Sequence, residues 1–334
     1  MMHKNYAEDP MKIRDLQLKN PIILAPMAGI SDLPYRLIMK PAGAGLVFTE
    51  MVSAVGLVRA KGRNRTFELL DSRPEERPLG VQLFGSDPEY LAQGARLVAN
   101  HADLIDLNLG CPVPKVTKGG GGSALLRDPE QIRRIVAAMR GAWDGPLTVK
   151  IRSGWDVEQI NYLEIGRIAQ EEGVDAITLH PRTRSQGFAG LSDWTHLRRL
   201  KESLTIPVIG SGDIFTAEDG LRMLAETGCD AIMIGRGGYG SPWLLAELAA
   251  RLQGEDWQAP TPAERAEVAR RHLDLALEIF GERRTLGEMR KHLCWYARGL
   301  SGAAGFRQSI NRAEEIITMR ALIDTFFTAE DHIA

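Results

Sequence analysis

Short apolar, β-branched runs recur through the first three quarters of the chain, at residues 22–25, 46–49, 79–83, 104–108, 147–151, 176–180, 207–210 and 231–234. They read as parallel strands buried on both faces rather than as alternating, half-exposed ones. Helical segments lie between them, and several open with recognisable caps. Asp87-Pro88-Glu89 and Asp128-Pro129-Glu130 each set an Asp at the N-cap and a Pro at the first helical position, where its missing N–H is harmless. Thr216-Ala217-Glu218-Asp219 reads as a capping box with Asp in place of the usual Glu. Eight βα units in about 240 residues match an α/β fold of the (β/α)8 barrel type. The alternative, an open doubly wound sheet, usually has fewer strands and a GxGxxG after its first strand, which this chain lacks.

The pattern changes near Gly254. Residues 254–261 carry Gly254, Pro260 and polar side chains and read as a linker. Thr261-Pro262-Ala263-Glu264 is a capping box with Pro at the first position, opening a helix to about residue 280. Further helices are expected over 286–298 and 309–326. The division that follows is a loose N-terminal tail over 1–11, a barrel over 12–253 and a small helical domain over 254–334.

Composition sets bounds on partners. The chain has 334 residues, of which 44% are apolar and 25% charged, an ordinary globular balance with enough apolar material for a sizeable core. Net charge is −2, so a polyanionic partner needs a local basic patch rather than a global field. The three cysteines, Cys111, Cys229 and Cys294, are scattered and form no CxxC. That argues against a disulfide framework or a metal site and fits a reducing cytoplasm. No apolar stretch approaches the ~18–20 residues that span a bilayer, and the polar start has no signal-peptide core. A membrane partner is not expected, and a monomer is.

In a barrel of this kind, function collects at the C-terminal ends of the strands. The first run leads into Ala25-Pro26-Met27-Ala28-Gly29, a tight turn suited to lying along a flat ligand, or simply a βα turn. Gln82, Lys150, Arg152 and His180 stand at the ends of later runs, and Arg182 and Arg184 follow, so several polar groups aim at one mouth. Ser211-Gly212-Asp213 and Gly235-Arg236-Gly237-Gly238 occupy the usual phosphate position of such barrels. Glycine lets backbone N–H groups close on phosphate oxygens, and Arg236 can add charge-assisted bonds. The fourth run is the most informative: it continues through Asn108-Leu109-Gly110-Cys111-Pro112 to Lys118 and four consecutive glycines. A Cys between Gly and Pro belongs to a loop over the mouth, and the glycines imply a mobile lid. With an ordinary thiol pKa near ~8.5, Cys111 is protonated at neutral pH and can donate; no base stands near it in sequence to make it a nucleophile.

These segments resemble the tRNA-dihydrouridine synthases, in general look the bacterial B-type members. The resemblance rests on Ala25-Pro26-Met27-Ala28-Gly29-Ile30-Ser31-Asp32, Val81-Gln82-Leu83, Asn108 to Pro112 with Lys115-Val116, and Gly122-Ser123-Ala124-Leu125-Leu126. It also rests on Lys150-Ile151-Arg152-Ser153-Gly154-Trp155, His180-Pro181-Arg182-Thr183-Arg184 and Ile232-Met233-Ile234-Gly235-Arg236-Gly237. It runs colinearly from about residue 12 to 245 and more weakly beyond. It implies an FMN held by Pro26, Met27, Ala28, Gln82, Lys150, His180, Ser211, Gly212, Asp213, Gly235 and Arg236, reduced by NADPH. It implies Cys111 as the acid that protonates uridine C5 as hydride reaches C6. Lys150 beside the N1–C2=O edge of the flavin would stabilise negative charge on the ring. Asn108 and Arg182 are expected to hold a uridine flipped out of the tRNA, with Arg152 and Arg184 nearby. The chain departs from the family with Ser211-Gly212-Asp213 where Asn-Gly-Asp is usual, and with a lid of four glycines.

On the segment from Met289, a helical wheel puts Met289, Leu293, Tyr296 and Leu300 on one side and Arg290, Lys291 and Arg298 on the other. Arg283, Arg284, Arg307 and Arg312 add positive charge. With this barrel, a contact to the tRNA backbone is the expected use of that face, with Trp295 stacking on a base or lying at an interface. Two rivals remain: a dihydroorotate dehydrogenase-like FMN barrel acting on a free small molecule, and a tRNA-binding protein with a vestigial flavin site.

Overall fold

The structure, a computed structural model, describes residues 10–328. The expected N-terminal tail therefore lies outside the described residues, apart from residues 10 and 11. Each of the eight apolar runs forms a strand: β1 Ile22–Leu24, β2 Val47–Phe48, β3 Leu79–Phe84, β4 Leu104–Leu109, β5 Leu147–Arg152, β6 Ala176–His180, β7 Val208–Ser211 and β8 Ala231–Ile234. All are parallel and pair in the order β1-β8-β7-β6-β5-β4-β3-β2. A bridge between Ile23 and Leu46, with Leu24 N–H donating to Leu46 O at 2.9 Å, joins β1 to the start of β2 and closes the ring. The fold is a (β/α)8 barrel followed by a helical region.

Strand periodicity places the chemistry. Side chains two apart on one strand share a face. Ile23, Leu104, Ala176, Ile209 and Ala231 fill the lower interior, packed on Met11, Ile13 and Leu18 of a short hairpin (Lys12–Ile13 with Leu16–Gln17) that plugs the floor. One or two steps up the same faces stand Gln82, Asp106, Asn108, Thr148, Lys150 and His180. The interior thus changes from apolar at the floor to polar at the mouth, along strands whose other face packs on helices.

The helices that cover the barrel are α1 Leu33–Met39, α2 Pro88–Val98, α3 Pro129–Arg140, α4 Tyr162–Glu171, α5 Thr195–Ser203, α6 Ala217–Thr227 and α7 Pro242–Gln253. Asp87 accepts from the amides of Glu89 and Tyr90 at 2.8 and 3.1 Å, Asp128 from Gln131 at 3.0 Å, and Thr216 with Asp219 forms the reciprocal box. Gly254, left-handed at φ 74°, ends α7.

Beyond it come α8 Pro262–Phe280, α9 Glu282–Tyr296, α10 Ala303–Arg312 and α11 Ile316–Phe327, with a core of their own built around Leu273, Met289, Leu293, Tyr296, Phe306 and Ile323. The sequence suggested three helices here. The helix expected over 309–326 is two, because Ala313 is extended (φ −62°, ψ 127°) and its carbonyl accepts from Arg290 Nη2 at 2.8 Å instead of from a helical amide. Among the described residues no helix is long and apolar enough to cross a membrane.

Candidate active site

The strand ends surround a cavity of about 300 Å³, within the size range of small-molecule sites. Every residue expected to hold the flavin lines it: Pro26, Met27 and Ala28 after β1, Gln82 on β3, Lys150 on β5, His180 on β6, Ser211, Gly212 and Asp213 at the end of β7, and Gly235 and Arg236 after β8. Cys111, Asn108 and Arg152 line it too.

A chain of hydrogen bonds sets the Cys111 turn. Asp106, buried on β4, accepts from Thr148 Oγ1 at 2.6 Å and from Gln82 Nε2 at 2.7 Å. That fixes the Gln82 amide so that its oxygen accepts from Asn108 Nδ2 at 2.7 Å. Asn108 Oδ1 then accepts the amides of Gly110 and Cys111 at 3.1 and 2.9 Å. Burial pushes the Asp106 carboxyl up to about 6, although both hydrogen bonds and the Lys150 charge act the other way. Asn108 therefore stands at the cavity wall as expected, but its amide is committed to the Cys111 turn rather than to a base edge.

Cys111 is half-buried. Burial pushes its thiol up, against the Val113 amide and the charges of Arg152 and Lys150, so the proton stays on sulfur through the neutral range. The four glycines beyond it form a fastened turn. Gly119 O accepts from Ser86 Oγ at 2.8 Å, and Ser123 donates to Cys111 O through its amide at 3.1 Å and its hydroxyl at 2.9 Å. Gly122 is left-handed at φ 59°, and a Cβ there would lie 2.7 Å from Cys111 O, so this position excludes any side chain.

The cavity is strongly positive. Lys150 makes no ion pair among the described residues; burial, then the Arg152 charge, lower its ammonium to about 8. Arg152 is lowered to about 10 by burial and by Arg182, and donates to Gly110 O, Thr183 O and Gly187 O at 2.9 Å each. His180 is held well below its ordinary value by burial and by Lys150, Arg152, Arg182 and Arg236, and stays neutral. At the far end Asp213, left-handed at φ 58°, takes Arg182 Nη2 at 2.7 Å and the Ser192 amide at 2.8 Å. Burial opposes its charge, but those bonds win and its carboxyl lies below the usual range. Arg236 lies 3.5 Å from Asp213 and 4.3 Å from the centre of the Phe188 ring.

Five expected substrate residues lie off this cavity. Arg182 is 2% exposed and bound to Asp213, Ser192, Ala189 O and Gly190 O, so it braces the β7 end instead of reaching a base. Arg184 lies over the Trp155 ring at 4.5 Å. In the tail, the apolar face of α9 docks as expected, but the basic face is partly consumed. Arg290 is tied to Ala313 O, Lys291 pairs with Glu288, and Arg298 alone of the three is exposed. Trp295 takes the interface role, stacked on Tyr239 with ring centres 4.4 Å apart and planes 13° apart.

Sequence reasoning missed Met51, Phe188, Phe215 and Tyr239 in the cavity lining. They sit on loops whose course no periodicity reveals. Among the described residues no group of His, Cys, Asp and Glu could hold a metal.

The family model described as dihydrouridine synthase (Dus) matches residues 23–330. The chain is 39% identical over 321 residues to tRNA-dihydrouridine synthase B of Xanthomonas axonopodis pv. citri, covering 96% of each chain. It is 39% identical over 318 residues to the probable tRNA-dihydrouridine synthase 1 of Synechocystis sp., covering 94% of this chain and 88% of that one. It is 38% identical over 321 residues to a probable tRNA-dihydrouridine synthase of Rickettsia conorii, covering 96% of this chain and 97% of that one.

Proposed function

The chain belongs to the dihydrouridine synthase family of tRNA-modifying oxidoreductases, and from that membership we propose that it reduces the C5=C6 bond of uridines in tRNA with FMN as cofactor, NADPH as reductant and Cys111 as the acid. One observation carries this reading: the half-buried thiol of Cys111 and the half-buried ammonium of Lys150 line one cavity.

The residues present fit a flavin. An ammonium with no direct ion pair is stabilised by an electron-rich ligand edge, and half-buried Lys150, which among the described residues feels Asp106 only at a distance, is such a group. A Cβ at Gly235 would meet nothing closer than Ala25 and Met27 at 3.9 Å, both in the cavity wall, so the missing side chain leaves room there. Arg236 stands beside it for the phosphate. When bound and reduced by NADPH, the flavin supplies hydride to uridine C6.

The chain's own part is binding and proton delivery. The Asp106–Gln82–Asn108 relay holds the Cys111 turn. The S–H bond breaks as a C–H bond forms at C5, which quenches the charge that arrives with the hydride, and solvent re-protonates the sulfur. Arg298 on the tail and the cations of the rim meet the tRNA backbone.

Purified protein should be yellow and should form dihydrouridine in tRNA with NADPH. Cys111→Ala should keep its flavin and its flavin reduction by NADPH, yet lose dihydrouridine formation by about 100-fold or more. Full activity in that variant removes the acid assignment; a colourless wild-type protein removes the flavin.

A further inference from the structure

On the rim of the mouth, two arginines from separate loops meet one aromatic ring. The guanidinium carbons of Arg127 and Arg184 lie 5.1 and 4.5 Å from the centre of the Trp155 ring. Arg127 ends the turn beyond Cys111, Trp155 follows β5, and Arg184 follows β6. Hydrogen bonds join the three loops. Arg184 N–H donates to Gly154 O and Ser185 N–H to Trp155 O, both at 3.0 Å, and Asn161 Nδ2 donates to Leu126 O at 2.7 Å.

Among the described residues neither guanidinium has an ion-pair partner. The acids nearest in sequence are committed to backbone amides: Asp128, beside Arg127, accepts that of Gln131 at 3.0 Å, and Asp156, beside Trp155, accepts those of Glu158 and Gln159 at 3.0 Å each. Arg127 is exposed and Arg184 half-exposed. Two like charges gathered on one ring repel each other, and an anion relieves that repulsion. The ring holds each guanidinium by its face, which leaves the N–H edges free, and that planar fork matches phosphate oxygens. With a net charge of −2, the chain can attract a polyanion only through such local concentrations.

We propose that Arg127, Trp155 and Arg184 form a clamp for the RNA phosphate backbone next to the nucleotide that enters the cavity. The proposal rests on tRNA being the substrate. Its position follows from the strands: Trp155 is three residues beyond Arg152, which lines the cavity, and Arg127 closes the turn that Cys111 opens. Lys115 and Lys118, exposed on that turn, extend the positive strip.

The test is binding of unmodified tRNA to the flavin-loaded full chain across a salt series. Arg127→Gln with Arg184→Gln should weaken binding roughly tenfold and flatten the slope of log affinity against log salt by about 1.5. Trp155→Ala, with both charges kept, should lower affinity by roughly threefold at an unchanged slope, because the forks lose only their orientation. The flavin absorbance and its reduction by NADPH should be the same in all three proteins. Wild-type affinity and slope in the double variant overturn the clamp and leave the substrate reading intact. A wild-type chain that binds no tRNA overturns the substrate reading and the clamp with it. If the double variant loses its flavin, Arg127→Gln alone decides, through half the slope change.

Discussion

The barrel mouth and the helical tail are both rich in cations, and the cations of the two differ in their partners, although Arg182 and Arg236 at the mouth do reach Asp213. In the tail, Arg270 pairs with Asp324 and Arg320 with Asp274 at 2.6 Å each, Lys291 with Glu288, and Arg290 reaches the Ala313 carbonyl. At the mouth, among the described residues, half-buried Lys150 makes no ion pair, and Arg127 and Arg184 share a ring instead of a carboxylate. A paired cation holds a fold together and gains little from a ligand. An unpaired one, above all a buried one, destabilises the free protein and is stabilised when an anion arrives. On the proposed function, the partner of a charge, more than the charge itself, marks where substrate and cofactor would bind.

The largest effect that follows concerns Lys150. Lys150→Met keeps most of the length of the side chain and removes its charge. We expect dihydrouridine formation to fall by about 100-fold, the size of loss seen when one electrostatic contact to developing charge is deleted, with a shifted flavin absorbance. The ammonium sits at about 8, so its charge is present below that pH and disappears as pH rises through it. Turnover in the wild type should therefore decline above about pH 8, while the raised Cys111 thiol still holds its proton. A pH–rate profile of Lys150→Met that keeps the same alkaline limb assigns the limb to another group and dissolves the contrast between mouth and tail at its strongest point.

Much of the mouth was legible from the chain itself. A strand that must bury both faces repeats every two residues, so polar residues near the ends of apolar runs, such as Gln82, Lys150 and His180, had to point into the barrel near its opening. The Gly-Cys-Pro order forced Cys111 out of regular structure. Partners were not legible. Nothing in the spacing of Asn108 and Cys111 tells that the Asn108 oxygen takes the Cys111 amide, nor that Arg182 turns toward Asp213. Those are contacts between strand ends brought together only by closure of the ring. The tail misled for the same reason: a helical wheel shows which side a residue occupies, and Arg290 on the polar side of α9 is reached by the carbonyl of a different helix. The break at Ala313 was hidden because no Gly or Pro marks it.

A middle-sized effect tests whether the two regions are independent. Tyr239 lines the cavity, stacks on Trp295 of α9, and is followed by Gly240, left-handed at φ 63°, where a Cβ would lie 2.4 Å from Trp295 Cβ. From the other side, Tyr35 Oη donates to Gly238 O at 2.7 Å. The loop beside the expected phosphate is thus braced by the tail. Trp295→Ala should weaken FMN binding to the apoprotein about tenfold, the scale of one lost aromatic pair plus its packing, and Trp295→Phe should restore most of it. Equal FMN affinity in all three, measured by quenching of flavin fluorescence, separates the tail from the cofactor site.

The smallest effects lie within the tail and decide which of its cations face RNA. Arg290 is half-buried and bonded to the Ala313 carbonyl, and among the described residues its buried Nε has no partner. Arg290→Gln removes a charged hydrogen bond worth about 1.5–3 kcal/mol in typical cases, so the protein should melt several degrees lower. Its tRNA affinity, measured well below that melting point, should stay within about twofold of the wild type, because that guanidinium is already committed. Arg298, exposed at the end of α9, should behave in reverse. Arg298→Gln should leave melting unchanged and lower tRNA affinity about twofold, with a salt slope smaller by about 0.7–0.9. If instead Arg290→Gln lowers affinity and flattens the salt slope while melting normally, its bond to Ala313 opens when RNA binds. The tail would then resemble the mouth, with cations held ready rather than consumed.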